Sequence, residues 1–361
     1  MTVIRATQAD AVRDQRIERL VPLITPQELF DELPLDGEPL DVLLRGRAAA
    51  HAVLDGVDDR LLVIVGPCSV HDVDAAREYA ERLSAQAHRL REDLLIVMRV
   101  YFEKPRTTIG WKGLINDPHL DGSGDVNSGL RMARRLLLEV LGLGVPVGCE
   151  FLDPITPQYI SDLVSWGAIG ARTTESQIHR QLGSGLSMPV GFKNGTDGNV
   201  QVAVDAVRAA AARHAFPGID ADGRSAILHT RGNTDCHIIL RGGKTGPNYD
   251  AEAVAAAGEL LARAHLPQRL VIDLSHDNSG KRAERQPEIA VAVAEQVAAG
   301  SRAIIGVMVE SFLVEGKQSA GPLESLTYGQ SITDSCIGWE TTVALLETLA
   351  GAARARRAQK S

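Results

Sequence analysis

Eight short runs along the chain are apolar at nearly every position: 61–65, 94–100, 145–151, 168–172, 188–193, 237–241, 270–274 and 303–309. A strand with one face in water alternates apolar and polar residues. Unbroken apolar runs instead imply burial on both faces, as in a parallel sheet covered by helices. Between the runs lie amphipathic or Ala-rich stretches at 74–91, 129–141, 157–166, 200–213, 251–264, 287–299 and 341–353. This repeated alternation predicts an α/β protein built as a TIM (β/α)8 barrel, with a doubly wound open sheet as the competing arrangement. Thr174 and Gln177 have the spacing of a capping box and predict a helix start after the fourth strand.

Two segments break the alternation. Residues 1–58 precede the first strand and form an N-terminal extension with a helix near 40–54. Residues 214–235, containing Gly218, Gly223, Gly232 and a strand-like stretch at 225–229, read as a β-hairpin inserted between the fifth helix and the sixth strand. The barrel itself is expected over 59–361. A chain of 361 residues can bury a large core without disulfides or a structural metal.

Cys68, Cys149, Cys236 and Cys336 lie far apart and form no Cys-x-x-Cys pair, which reads as reduced thiols in the cytoplasm. Cys149 and Cys236, in or beside apolar runs, read as packing residues. The N-terminus lacks the apolar stretch of a signal peptide, and no run of about eighteen apolar residues suggests a membrane span. With a net charge of −8 and no basic stripe interleaved with aromatics, nucleic acid is not an expected partner. Phosphorylated substrates remain open, because a pocket can be locally basic on an acidic protein.

In a TIM barrel, chemistry sits at the C-terminal ends of the strands. Those ends carry Cys68, Arg99, Glu150, Arg172, Lys193, Arg241, His276 and Glu310. With Lys104 and Arg106 the cations form one group, and convergent like charges imply one highly anionic ligand or two anionic ligands. Cys68, His276, Glu310 and the nearby Asp334 make a plausible divalent transition-metal set. Their spacing gives no support, and each also has a structural reading: a buried thiol, a satisfied core histidine, two capping acids. Arg241-Gly-Gly-Lys244 is not a Walker A loop, so a nucleoside triphosphate is not indicated.

Seven ordered motifs are similar to those of the type I 3-deoxy-D-arabino-heptulosonate 7-phosphate (DAHP) synthase family. They are Gly66-Pro-Cys-Ser-Val-His-Asp72, Arg99-Val-Tyr-Phe-Glu-Lys-Pro-Arg-Thr-Thr108, Gly170-Ala-Arg-Thr-Thr-Glu-Ser176, Gly191-Phe-Lys-Asn-Gly-Thr-Asp197, Ile239-Leu-Arg-Gly-Gly243, Asp273-Leu-Ser-His276 and Gly306-Val-Met-Val-Glu-Ser311. The resemblance runs from about Arg16 to the last helix. It implies an aldol-type condensation of phosphoenolpyruvate with erythrose 4-phosphate, opening aromatic amino-acid biosynthesis. Metal ligation then falls to Cys68, His276, Glu310 and Asp334, with Mn²⁺ ahead of Fe²⁺, Co²⁺ or Zn²⁺. Arg99, Lys104, Glu150, Arg172, Lys193 and Arg241 match phosphoenolpyruvate contacts. Pro105, Arg106 and Thr107, with Asp334, match the erythrose 4-phosphate end. Lys104, Glu150, Cys68 and His276 are the catalytic candidates, Lys104 as proton donor and Glu150 as positioner of water. The rival readings are a non-catalytic regulatory paralogue and a Schiff-base aldolase using Lys193.

In feedback-regulated members the N-terminal arm and the hairpin build an effector site and subunit contacts. This points to an aromatic amino acid bound near Gln158, Leu182, Ser187, Phe216 and Gly218, in a homodimer or homotetramer. Gly218, where phenylalanine-inhibited members tend to carry Ser, leaves room for a phenol oxygen and points to tyrosine. Cys336, two residues after Asp334, is expected to reach Cys68 and to form a disulfide with it when metal is lost.

Overall fold

The computed structural model describes residues 12–106 and 108–359. Its strands are β1 (Leu61–Gly66), β2 (Leu94–Arg99), β3 (Val147–Glu150), β4 (Trp166–Ile169), β5 (Val190–Lys193), β6 (Ala215–Ile219), β7 (Ser225–His229), β8 (His237–Leu240), β9 (Leu270–Asp273), β10 (Ile304–Glu310), β11 (Val314–Lys317) and β12 (Gln330–Ser331). Its helices are α1 (Pro26–Glu32), α2 (Gly37–Leu54), α3 (Val73–Arg89), α4 (Val126–Gly142), α5 (Pro157–Ile160), α6 (Gln177–Gly185), α7 (Gln201–Ala210), α8 (Ala251–Arg263), α9 (Gln286–Ala298) and α10 (Trp339–Ala358).

Eight strands close into a parallel barrel in the order β1-β10-β9-β8-β5-β4-β3-β2. Every residue of β1 and β10 is buried, yet alternate residues serve different cores. Leu62 and Ile64 pack inside the barrel with Leu95, Val97, Trp166, Ile239, Val271 and Met308. Leu61, Val63 and Val65 pack outward in the larger cluster that includes residues of the surrounding helices. The period of two is therefore present, but both faces are apolar and it cannot be seen as a polar alternation. Ala50, Val53 and Leu54 of α2 join the interior cluster, so this helix of the N-terminal extension contributes to the core.

The extension is also tied to the barrel wall by polar contacts. Ile24 donates its N–H to Asn127 Oδ1 at 2.8 Å, and the Tyr159 hydroxyl donates to Ile24 O at 2.7 Å. The inserted hairpin forms as expected from β6 and β7, paired antiparallel from Ala215↔His229 to Ile219↔Ser225. Its tip reaches α1, where Gln27 N–H donates to Ala221 O.

Three expectations need correction. The helix expected at 157–166 is one turn, α5, followed by a 3-10 turn at Ser161–Leu163. Asp162 is drawn into a bidentate contact with the buried Arg134, at 2.7 and 2.9 Å, and Trp166 opens β4. The residue capping α6 is Ser176, not Thr174, whose hydroxyl instead donates to the Lys193 carbonyl at 2.7 Å. A capping box does occur, but on α1 between Thr25 and Glu28. Finally, β4 ends at Ile169, so Arg172 lies three residues past its strand in a turn.

Candidate active site

The C-terminal ends of the barrel strands open into a cavity of about 700 Å³. Its lining includes Lys104, Pro105, Arg106, Glu150, Arg172, Lys193, Arg241, His276 and Asp334. Cys68, Arg99 and Glu310 lie beneath that lining, fully or almost fully buried. Thr107 falls outside the described residues. Gln158 on α5, Leu182 on α6, Ser187 after it, and Phe216 and Gly218 on β6 do not line this cavity.

Arg99, the last residue of β2, knits the floor together. Its Nε donates to Pro67 O at 3.1 Å, and its NH2 donates to Cys68 O at 3.1 Å and Glu310 Oε1 at 3.0 Å. The guanidinium lies 3.6 Å above the Tyr101 ring. The chain then turns so that Lys104 N–H donates to Lys112 O at 2.8 Å. Gly113, at φ +116°, makes that return possible, since a Cβ there would collide with the Phe102 carbonyl. Lys104 Nζ consequently reaches Cys68, 3.1 Å from its carbonyl oxygen and 3.0 Å from Sγ.

Donor atoms of Cys68, Glu310 and Asp334 lie within 4.8 Å of one another. His276 stands beside this trio, its Nε2 3.8 Å from Glu310 Oε1. Its Nδ1 faces Asp273 Oδ2 and Ser275 Oγ, each at 2.8 Å. A proton on Nδ1 leaves the Nε2 lone pair directed toward the trio, the usual arrangement of a metal-ligating imidazole backed by a carboxylate. His276 holds a left-handed backbone at φ +49°.

Burial, then the neighbouring Glu310, push the Cys68 thiol up to about 11. For Asp334, burial alone would raise the carboxyl, but Lys104 and His276 prevail and hold it below the ordinary range. Burial likewise opposes the Lys104 charge, and Cys68 and Glu310 outweigh it, so the ammonium sits above its ordinary value. Thiol, imidazole and two carboxylates are suited to a divalent transition metal, and such a cation would relieve the crowding of acidic groups around Cys68. The residues present fit that group.

The remaining cations divide by pairing. Lys193 Nζ lies 3.2 Å from Asp273 Oδ2 and 4.0 Å from Glu150 Oε2. Arg241 is ion-paired with Asp277, while its buried Nε has no hydrogen-bond partner among the described residues. Arg172 is exposed and reaches the Pro105 carbonyl at 3.4 Å. Arg106 is exposed, its guanidinium lying over Gly110. Cys336 Sγ accepts the Cys68 N–H at 3.4 Å, and all four cysteines are free thiols.

Sequence reasoning passed over Asp273, whose buried carboxylate lies 3.2 Å from Lys193 Nζ and 2.8 Å from His276 Nδ1. Its signal was available: a carboxylate inside an otherwise apolar strand. It also passed over Glu103, whose carboxylate accepts the Leu152 and Asp153 N–H groups at 3.3 Å and is pushed up to about 8 by burial. No single residue type or spacing marks that role.

The profile of a family described as "DAHP synthetase I family" matches residues 38–347. A relative from Escherichia coli K12, "Phospho-2-dehydro-3-deoxyheptonate aldolase, Phe-sensitive", is 58% identical over 344 residues, 95% of this chain and 98% of its own. A relative from Candida albicans, the same aldolase described as "tyrosine-inhibited", is 52% identical over 353 residues, 96% of this chain and 95% of its own. The solved structure of the aldolase from Francisella tularensis SCHU S4 superposes with a TM-score of 0.93 at 49% identity, covering 94% of this chain and 99% of that one.

Proposed function

The chain belongs to the DAHP synthetase I family, and from that membership we infer that it condenses phosphoenolpyruvate with erythrose 4-phosphate and water. The products are 3-deoxy-D-arabino-heptulosonate 7-phosphate and inorganic phosphate. The observation that carries this reading is the trio Cys68, Glu310 and Asp334, with donor atoms within 4.8 Å, set under a cavity lined by Lys104, Arg172, Lys193 and Arg241.

Arg99, Lys104, Glu150, Arg172, Lys193 and Arg241 hold phosphoenolpyruvate. The orphaned Nε of Arg241 is a donor awaiting an anion. Pro105, Arg106 and Thr107, with Asp334, hold the sugar phosphate, Arg106 on its phosphate. A divalent cation held by Cys68, His276, Glu310 and Asp334 would supply Lewis acidity at the aldehyde oxygen, with Mn²⁺ favoured because two of the four donors are carboxylates. Lys104, charged and beside the trio, donates the proton needed by the new hydroxyl oxygen when C3 of phosphoenolpyruvate bonds to the aldehyde carbon. Glu150 orients the water that adds at C2, and the cation group receives the phosphate expelled by C–O cleavage.

The two rival readings fare worse. A Schiff-base aldolase needs a lysine amine free to attack a carbonyl, but Lys193 Nζ is held in an ion pair with Asp273 and faces Glu150. A non-catalytic paralogue would be expected to have lost a ligand or a phosphate-binding cation, and this chain keeps them all.

For regulation we propose tyrosine, bound near Gln158, Leu182, Ser187, Phe216 and Gly218. A Cβ at Gly218 would lie 2.6 Å from Leu228 Cδ1, so a side chain here would press into the hairpin. Inhibition by phenylalanine and not by tyrosine would reject this choice. The assembly is proposed to be a homodimer or homotetramer, working in the cytoplasm. Among the described residues no helix is long and apolar enough to cross a membrane.

The reaction is tested by following phosphoenolpyruvate loss. It should require erythrose 4-phosphate, stop with EDTA and return with Mn²⁺. Loss without the aldehyde, or no loss with any of the four metals, would reject the reading.

A further inference from the structure

The cavity holds two lysines that the proposed chemistry does not use. Lys244 follows Arg241 in the turn after β8, and Lys281 lies in the turn after β9; both side chains are exposed at the rim while lining the cavity. Neither makes an ion pair among the described residues, unlike Lys193 and Arg241 deeper in. Altogether seven lysine or arginine side chains line the cavity against three carboxylates, and two of the carboxylates, Glu150 and Asp277, already face Lys193 and Arg241. The rim is therefore an unneutralised positive patch on a protein whose net charge is −8.

Lys281 carries a second sign. It holds a left-handed backbone at φ +61°, directly after Gly280 at φ +62°, and its N–H donates to His276 O at 2.6 Å. A lysine in this region costs about 1 kcal/mol relative to glycine. Surface solubility alone does not call for a lysine at such a position. The turn also brings Lys281 to the same part of the cavity wall as Asp334.

We propose that Lys244 and Lys281 form an electrostatic entry for phosphorylated anions, drawing phosphoenolpyruvate and the sugar phosphate through the field of an acidic protein to the deeper cations. This rests on the substrates proposed above. Charges in a concave mouth concentrate field lines, raise encounter rates by about 10- to 1,000-fold in favourable cases, and lose that effect as salt screens them.

The test measures kcat/KM for each substrate against ionic strength in the wild-type holoenzyme, in the double variant Lys244→Gln/Lys281→Gln, and in Lys244→Arg/Lys281→Arg. At low salt the Gln pair should lose about tenfold in kcat/KM for both substrates, with kcat changed less than twofold. Its curve should converge on the wild type as salt rises, and the Arg pair should restore the salt dependence. Parallel salt curves for wild type and the Gln pair would overturn the proposal, as would a loss confined to kcat. Equilibrium binding of phosphoenolpyruvate alone, measured over the same salt series, keeps the question separate from the reaction. If wild type binds it but does not condense it, the proposed function fails while the entry is still judged by its salt slope.

Discussion

At the scale of single residues, Lys104 is the most demanding assignment. Its ammonium spends its contacts on Cys68, and Glu310 and Glu150 add to the acidic surroundings that keep it charged. Lys104→Met should lower kcat by about 100- to 10,000-fold in steady-state assays, and a near-normal kcat would remove it as the proton donor. His237 offers a pH test away from the site. Its Nδ1 faces Asp235 O and its Nε2 accepts from Trp166 Nε1, both at 3.1 Å, so the ring must be neutral. Burial lowers it to about 4 from an ordinary value of 6.5. A depressed histidine contributes stability that is fully present above the ordinary value and drains away as pH falls toward the depressed one. From pH 7 to 5, wild type should lose roughly 2 kcal/mol more than His237→Gln in urea unfolding. Equal losses would contradict a buried neutral ring. The residues at or just past the strand ends were legible because a barrel turns chain position into site position, although Arg172 sits in the turn three residues beyond β4. Lys281 was not legible, because its importance depends on which neighbours lack or share a partner, whereas Asp273 carried an unused signal, a carboxylate in an apolar strand.

Among elements, the barrel strands could be read because each is apolar on both faces, and they came out within a few residues of expectation. The stretch 157–166 misled for a physical reason. Its composition permits a helix, but Arg134 captures Asp162 and Trp166 is needed inside the barrel. The strap formed by β11 and β12 had no signal, being a short, largely exposed pair of four and two residues. A cleaner element-level test lies where α6 meets the hairpin. The Asn233 amide nitrogen sits 2.9 to 3.3 Å from the carbonyls of Gly183 and Leu186 at the end of α6 and of Met188 just beyond it. Asn233→Ala should cost roughly 2 kcal/mol of unfolding free energy. A cost within error of zero would mean that water or a shifted backbone satisfies those carbonyls.

For the whole molecule, a metal held at the trio and His276 as proposed would link binding to folding. A divalent metal at about a hundred times its dissociation constant should add roughly 3 kcal/mol of stability, read as a rise of several degrees in the melting midpoint that EDTA reverses. Glu310→Gln should lose most of that rise, and a full rise in the variant would place the metal elsewhere. The central claim is the condensation itself. It is tested most directly with phosphoenolpyruvate labelled with ¹⁸O in the oxygen that bridges carbon and phosphorus. Incubated with erythrose 4-phosphate and Mn²⁺, the enzyme should yield a seven-carbon sugar-acid phosphate and inorganic phosphate carrying the label, as C–O cleavage requires. Absence of the seven-carbon product, or label retained in the sugar, would contradict the account.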